Sequence, residues 1–348
     1  MSVAAAPRRI LVRMPNWLGD AVMATPGLRA LRRRFPEATI VAWVRPGLEG
    51  LLDASPSIDE VVRFDAWRAG PRALWRAARA LAPRDFELGV CLPDSFSAAL
   101  AMRIAGVRHV VGYARGARGP LLHEAVAPRR EWGPRRLVAR ERSVLHLLEA
   151  IGCPPQGSGL ELGVDPADAE RLTAQIGVVG QAPLVVLAPG AAFGPSKLWP
   201  LGSFARLADA LADEGCRIVI TGDTGETALG RELAAAMRAP ATDLCGRIDT
   251  GALKALIRRA ALVVCNDSGT RHLASAFATP SIVLLGPTDL ARTDCNLERV
   301  TVLTNEVGCR PCYRRRCPID HGCLRGIEVG RVLETARHVL AAGGARGG

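Results

Sequence analysis

Short apolar runs alternate with longer amphipathic stretches in this chain, and they do so twice over. Ile10–Arg13, Thr39–Val44, Glu60–Phe64 and Glu87–Leu92 read as strands, with helical patterns from about Asp20 to Arg34 and near 71–82 and 95–105. A second series follows: strands at Leu184–Ala188, Arg217–Thr221, Ala261–Cys265 and Ser281–Leu285, with helices at Ser203–Glu214, Glu226–Met237, Thr250–Arg259 and Gly269–Phe277. A β-α-β rhythm of this kind predicts an α/β fold in which parallel sheets are covered on both faces. At 348 residues the chain exceeds the size at which one core stops growing, so two domains are expected. The loose stretch Gly152–Gly159 places their boundary between residues 152 and 182. The expected division is 1–160, 180–330 and a C-terminal helix and tail over 331–348, the two sheets facing a central cleft.

Charge narrows the partners. There are 45 basic against 34 acidic residues, for a net charge of +11, and only two of the basic residues, Lys197 and Lys254, are lysine. The excess favours an anionic ligand or surface. Nucleic acid is the poorer candidate, because aromatic residues make up 4% of the chain and leave little for bases to stack on. No stretch is long and apolar enough to span a bilayer, and Arg8, Arg9 and Arg13 interrupt any signal-peptide core. The expectation is a cytoplasmic protein, free or peripheral to a membrane.

Three loops stand where a strand hands over to a helix. In Asn16-Trp17-Leu18-Gly19-Asp20, Asp20 is either a helix N-cap or a carboxylate placed as general base. The glycine- and proline-rich run Ala188–Pro200 contains Gly190 and Lys197, whose ammonium either neutralises phosphate charge or is an ordinary exposed lysine. In Cys265–His272, the small residues Asp267, Ser268 and Gly269 open a helix whose free N–H groups suit an anion; the plainer alternative is a cap followed by a surface His272. Gly286-Pro287-Thr288 forms a matching loop after the next strand, and the pair suggests a phosphate-bearing ligand. Neither a P-loop nor a G-x-G-x-x-G fingerprint is present.

Taken in order, these motifs resemble the lipopolysaccharide heptosyltransferases of glycosyltransferase family 9, of the heptosyltransferase II type. The likeness runs through Trp17–Asp20 with Ala24-Thr25-Pro26, Leu92-Pro93-Asp94-Ser95-Phe96, Pro189-Gly190, Phe193-Gly194-Pro195, Lys197-Leu198-Trp199-Pro200, Asn266–Gly269 with His272, and Gly286-Pro287-Thr288. It implies a GT-B arrangement of two Rossmann-like domains. The implied reaction is inverting transfer of L-glycero-D-manno-heptose from ADP-heptose to the lipopolysaccharide inner core, with no metal or cofactor required. By position, Asp20 corresponds to the catalytic base and Lys197 to the residue on the donor phosphates. Glu226 corresponds to a carboxylate on the donor ribose, and Asp267, Ser268, Gly269 and His272 to the donor loop, with Gly190 and Thr288 beside it. The chain departs from some members at Ala192 and Phe193, where they carry hydroxyls, and at Thr270-Arg271, where others are more apolar. Another nucleotide-sugar-dependent glycosyltransferase or an epimerase is the alternative on the same scaffold.

On the acceptor side, eight arginines fall between 115 and 142 (Arg115, Arg118, Arg129, Arg130, Arg135, Arg136, Arg140, Arg142). They form a solvated basic face, a contact for acceptor anions, or a patch held against an anionic inner-membrane leaflet. Arg118 and Asp94 match the family best as acceptor contacts. The last cluster is Cys309, Cys312, Cys317, His321 and Cys323. Structural zinc, a redox pair and inert thiols all remain open for it, although the spacing lacks the long arm usual between zinc-ligand pairs.

Overall fold

A computed structural model describes residues 6–65, 69–133, 138–177 and 182–344. The chain forms two compact units: Met1–Gly163 with Ala291–Cys295, and Val164–Leu290 with Asn296–Gly348. In the first unit the order is β1 (Arg9–Arg13), α1 (Leu18–Val22), α2 (Thr25–Arg34), β2 (Thr39–Val44), β3 (Glu60–Arg63), α3 (Pro71–Arg79), β4 (Leu88–Cys91), α4 (Phe96–Ile104), β5 (His109–Tyr113), β6 (Glu124–Val126) and α5 (Arg140–Glu149). The second runs α6 (Pro166–Ile176), β7 (Leu184–Ala188), α7 (Leu201–Asp213), β8 (Arg217–Ile220), α8 (Thr227–Ala236), β9 (Thr242–Asp243), α9 (Thr250–Arg259), β10 (Leu262–Asn266), α10 (Gly269–Ala276), β11 (Ser281–Leu284), β12 (Val300–Leu303), α11 (Gly322–Arg325) and α12 (Val329–Gly344).

Each unit holds one six-stranded parallel sheet, ordered β3-β2-β1-β4-β5-β6 and β9-β8-β7-β10-β11-β12. The two orders are the same when read from each unit's first strand. In both, the chain winds outward one way and then reverses, so the switch point lies between β1 and β4 in one unit and between β7 and β10 in the other. Registers there are fixed by pairs such as Val12↔Val90 and Leu187↔Val264. Crevices for ligands open at the carboxyl ends of strands flanking a switch point.

β7 and β10 are buried along their whole length and β2 beyond Thr39, which is why they read as nearly continuous apolar runs rather than alternating ones. Leu11, Val41, Trp43, Phe86 and Met102 form one core. Leu187, Phe204, Ile220, Val264 and Leu284 belong to the other. Each such side chain contributes about 1.5–3 kcal/mol of burial.

One predicted helix is two. The stretch from Asp20 to Arg34 breaks at Met23–Ala24, because Pro26 has no N–H and belongs in the first turn of a helix. Thr25 Oγ1 donates to Val22 O at 2.8 Å, closing the end of α1. No helix among the described residues is long and apolar enough to cross a membrane.

Candidate active site

Asp20 lies within α1, and the N-cap position belongs to Trp17, with no side-chain cap bond. The capping reading of Asp20 is therefore not what the structure shows. The loop that delivers it is tied from behind by Arg13, a buried guanidinium that donates to Met14 O (2.5 Å), Trp43 O (3.1 Å) and Asn16 Oδ1 (2.5 Å). Its Cζ sits 4.3 Å from the centroid of the Phe64 ring. Burial lowers the Arg13 pKa to about 10, so it stays a cation at neutral pH.

Burial raises the Asp20 pKa, Arg140 and Arg292 pull it back, and the Asp94 charge adds to the rise. Asp20 follows β1 and Asp94 follows β4, the two strands at the switch point. The arginines beside Asp20 come from α5 and from the short segment Ala291–Cys295 of the same unit. Arg140 Nη2 also donates to Leu92 O at 2.6 Å, while Arg142 holds Asp294 at 3.2 Å.

Arg118 requires a correction. Its side chain is 0% exposed. Nε donates to Tyr113 O (2.9 Å), Nη1 to Pro93 O and Cys91 Sγ, and Nη2 to Asp94 Oδ1 (3.3 Å). Every arm of the fork is turned inward, so Arg118 shapes the Cys91–Asp94 turn and offers no free edge to an acceptor. Asp94 is shared with Arg115 Nη1 at 3.4 Å. Arg129 pairs with Glu131 and Glu149. The arginine-rich stretch is thus largely spent within its own unit; Arg135 and Arg136 lie outside the described residues.

In the second unit, Lys197 and Asp267 meet at the other switch point. Lys197 Nζ stands 2.5 Å from Asp267 Oδ2 and 3.1 Å from Asp267 O, and 5.2 Å from the Phe193 ring centroid. Thr288 Oγ1 donates to the same Oδ2 at 2.7 Å. Burial alone would raise the Asp267 pKa, but the Lys197 charge and the Lys197 and Thr288 hydrogen bonds hold it below the usual carboxylate range. Asn266 straps the loops together, accepting from Trp199 N (3.0 Å) and donating to Pro189 O (2.6 Å). Sequence reading gave Asn266 no role of its own, though an amide is one of the few side chains able to bond in both directions.

Ser268 caps α10 without a side-chain cap bond. Ser268 Oγ and His272 Nδ1 are buried atoms with no hydrogen-bond partner among the described residues. His272 is not a surface residue. Burial, with Arg271 and Lys197 nearby, lowers its pKa to about 3 against the opposing Asp267 charge, so it is neutral. Orphaned polar atoms beside a helix N-terminus and a lysine are groups that a phosphate would satisfy.

Gly190 and Glu226 explain one another. A Cβ on Gly190 would fall 1.8 Å from Glu226 Oε1. Glu226 Oε2 accepts from Asp223 N at 2.9 Å, in a capping box with Asp223. Burial raises the Glu226 pKa, partly offset by that backbone bond. Gly190→Ala is expected to expel the carboxylate and cost about 1 kcal/mol through the lost cap. Thermal unfolding checks this; an unchanged Tm would count against it.

Cys309, Cys312, Cys317, His321 and Cys323 line one pocket. Among the described residues no three His, Cys, Asp or Glu side chains come together closely enough to hold a metal ion, and all ten cysteines are free thiols.

Two parallel α/β units, each with charged loops at its switch point, make a GT-B-like fold. Comparison with known proteins gives the family. Residues 74–322 match glycosyltransferase family 9 (heptosyltransferase), and the chain belongs to that family. It is 29% identical to lipopolysaccharide heptosyltransferase 2 of Escherichia coli K12, over 80% of this chain and 83% of that one. The solved structure of E. coli ADP-heptose lps heptosyltransferase II superposes with a TM-score of 0.82 at 26% identity, covering 96% of this chain and 99% of the other. E. coli heptosyltransferase WaaC with ADP shares the fold at TM-score 0.70 and 18% identity, over 95% and 99% of the two chains.

Proposed function

We propose that this glycosyltransferase moves L-glycero-D-manno-heptose from ADP-heptose to the inner core of lipopolysaccharide with inversion, Asp20 serving as general base. An acceptor hydroxyl attacks the anomeric carbon, its proton passes to the Asp20 carboxylate, and the bond to the ADP oxygen breaks. Negative charge grows on the departing diphosphate. Lys197, the N-terminal amides of α10 and Ser268 Oγ supply the compensating positive potential, and no metal or cofactor is required. The observation that carries this reading is the cluster of Lys197 with the orphaned Ser268 Oγ and His272 Nδ1 at the head of α10. Glu226 suits the donor ribose, since a carboxylate accepts from paired hydroxyls. On the acceptor side, Asp94 is half-buried and ion-paired, placed to orient rather than to react.

Transfer from ADP-heptose to a defined inner-core acceptor, assayed with a chelator present and with UDP- and GDP-sugars as competing donors, tests the proposal. Product from ADP-heptose alone supports it; equal use of the other donors, or no heptosylated product, overturns it.

We read the protein as cytoplasmic and peripheral to the anionic inner leaflet. The support is α3, where Arg72, Trp75, Arg76 and Arg79 are exposed at helical spacing on one face and no acidic residue lies in the helix. Trp75 is 55% exposed. An interfacial tryptophan among cations suits a charged headgroup layer, at about 1 kcal/mol per basic residue. Vesicles containing phosphatidylglycerol are expected to sediment the protein, and phosphatidylcholine vesicles are not. Replacing Arg72 and Arg76 with Gln should weaken that binding roughly tenfold; an unchanged partition would exclude α3 as the contact.

A further inference from the structure

The segment from Arg310 to His321 lies against both loops that present the donor-side charge. Ser196 N donates to Arg315 O at 3.2 Å, and Ser196 Oγ to Arg314 O at 2.5 Å. His321 Nε2 lies 2.6 Å from Ser196 O, and because a carbonyl can only accept, that nitrogen carries the proton. Gly194 belongs to the same junction: its φ is +145°, and a Cβ there would fall 2.7 Å from Arg315 O. The segment also reaches the other loop. Arg310 Nε donates to Gly286 O at 2.9 Å, and the amides of Cys312 and Tyr313 donate to Pro287 O at 3.0 and 2.9 Å. Ser196 immediately precedes Lys197, and Pro287 immediately precedes Thr288.

We infer that this segment is a brace for the donor loops and that His321 is a positioning residue for Lys197. The carbonyl of Ser196 belongs to the peptide group that leads into Lys197. Fixing that plane fixes the direction in which the lysine side chain leaves the backbone. The Pro287 bonds do the same for Thr288, whose hydroxyl shares Asp267 Oδ2 with Lys197. The brace therefore holds two of the three members of the Lys197–Asp267–Thr288 network. Displacements of about 1 Å at such groups can cost about a hundredfold in rate. His321 has φ +62°, a left-handed conformation that Asn tolerates well.

This inference rests on the donor site described above, and the test separates the two. ADP is titrated calorimetrically into the wild type, His321→Asn, His321→Gln and Ser196→Ala, with thermal unfolding of each and with donor and acceptor KM measured in the transfer assay. Asn keeps the backbone preference but shortens the side chain beyond reach of Ser196 O, whereas the Gln amide restores an N–H near the place of Nε2. His321→Asn is expected to weaken ADP binding roughly tenfold and raise donor KM with acceptor KM unchanged. His321→Gln should return to within about threefold of wild type, and Ser196→Ala should shift ADP binding in the same direction as Asn. The inference is overturned if Asn and Ala variants bind ADP as the wild type does, or if folded Gln and Asn variants are equally impaired. If Ser196→Ala alone folds, its ADP affinity decides by the same criterion. Wild-type protein that fails to bind ADP would instead remove the donor site itself.

Discussion

Replacing Asp20 with Asn should abolish most turnover while leaving ADP binding intact. The amide keeps the shape of the side chain but cannot take a proton, and a general base is worth about 10²–10⁴ in rate. ADP affinity should stay within about twofold, because the residues assigned to the diphosphate lie in the other unit. The same carboxylate predicts a pH profile. Burial places its pKa above the usual range, with Arg140 and Arg292 limiting the rise. Only the ionised form can act as base, so kcat should fall on the acid side with a midpoint above the ordinary carboxylate value of about 4. Stability runs the opposite way. A carboxyl whose folded pKa is raised favours folding most below its unfolded pKa, and that contribution is lost as pH rises through the folded value. At neutral pH Asp20→Asn should therefore unfold at the same temperature as wild type or higher. A near-normal rate in the folded variant would remove Asp20 from the mechanism.

Lys197→Met should damage binding, rate and stability together. The pair it forms with Asp267 is largely out of water, with side chains 13% and 11% exposed. Removing the cation leaves a nearly buried carboxylate without its main partner, at a cost on the order of 3 kcal/mol. Asp267→Asn in the same chain should recover much of that stability, because the orphaned charge is gone. On the proposed mechanism it should recover none of the activity, because the ammonium assigned to the leaving diphosphate is still missing. The loss in kcat is expected to be about 10²–10³, comparable to deleting one electrostatic donor. Thermal unfolding of the two single variants and the double variant reads the first claim, and single-turnover transfer reads the second. The pH dependence has a definite sign here also. Asp267 is held below the usual carboxylate range, so its contribution is present above its unfolded pKa and disappears as pH falls through the lower folded value. Activity regained in the double variant would show that the lysine serves Asp267 rather than the donor.

Much of this was legible in the sequence, for reasons that can be located. β2, β7 and α9 coincide with the predicted Thr39–Val44, Leu184–Ala188 and Thr250–Arg259 to the residue. Their apolar runs are bounded by proline, glycine or caps, and local chemistry sets their ends. Asp20, Lys197 and Asp267 sit in loops between a strand and a helix, where a cap or an exposed lysine is an equally ordinary reading, and it is the resemblance to the family that gives them roles. What escaped was whatever depends on packing between distant segments. Arg140 and Arg292 approach Asp20 only because α5 and a five-residue return of the chain join the first unit. The inward turn of Arg118 depends on carbonyls at Tyr113 and Pro93, which carry no side-chain signature. α6 was passed over inside the stretch read as a link, although Asp165 caps it and Pro166 occupies its first position. His321 was grouped with the cysteines on spacing, whereas its bond goes to a backbone carbonyl remote in sequence.

The scarcity of lysine has a practical consequence. Lys254 is entirely enclosed in α9, and Lys197 is the one lysine side chain with any surface. Acylating reagents that seek ε-amines have a single such target, and it lies in the loop after β7. Nucleotide bound as proposed would shield it, so the extent of acylation would gauge occupancy without any engineered label.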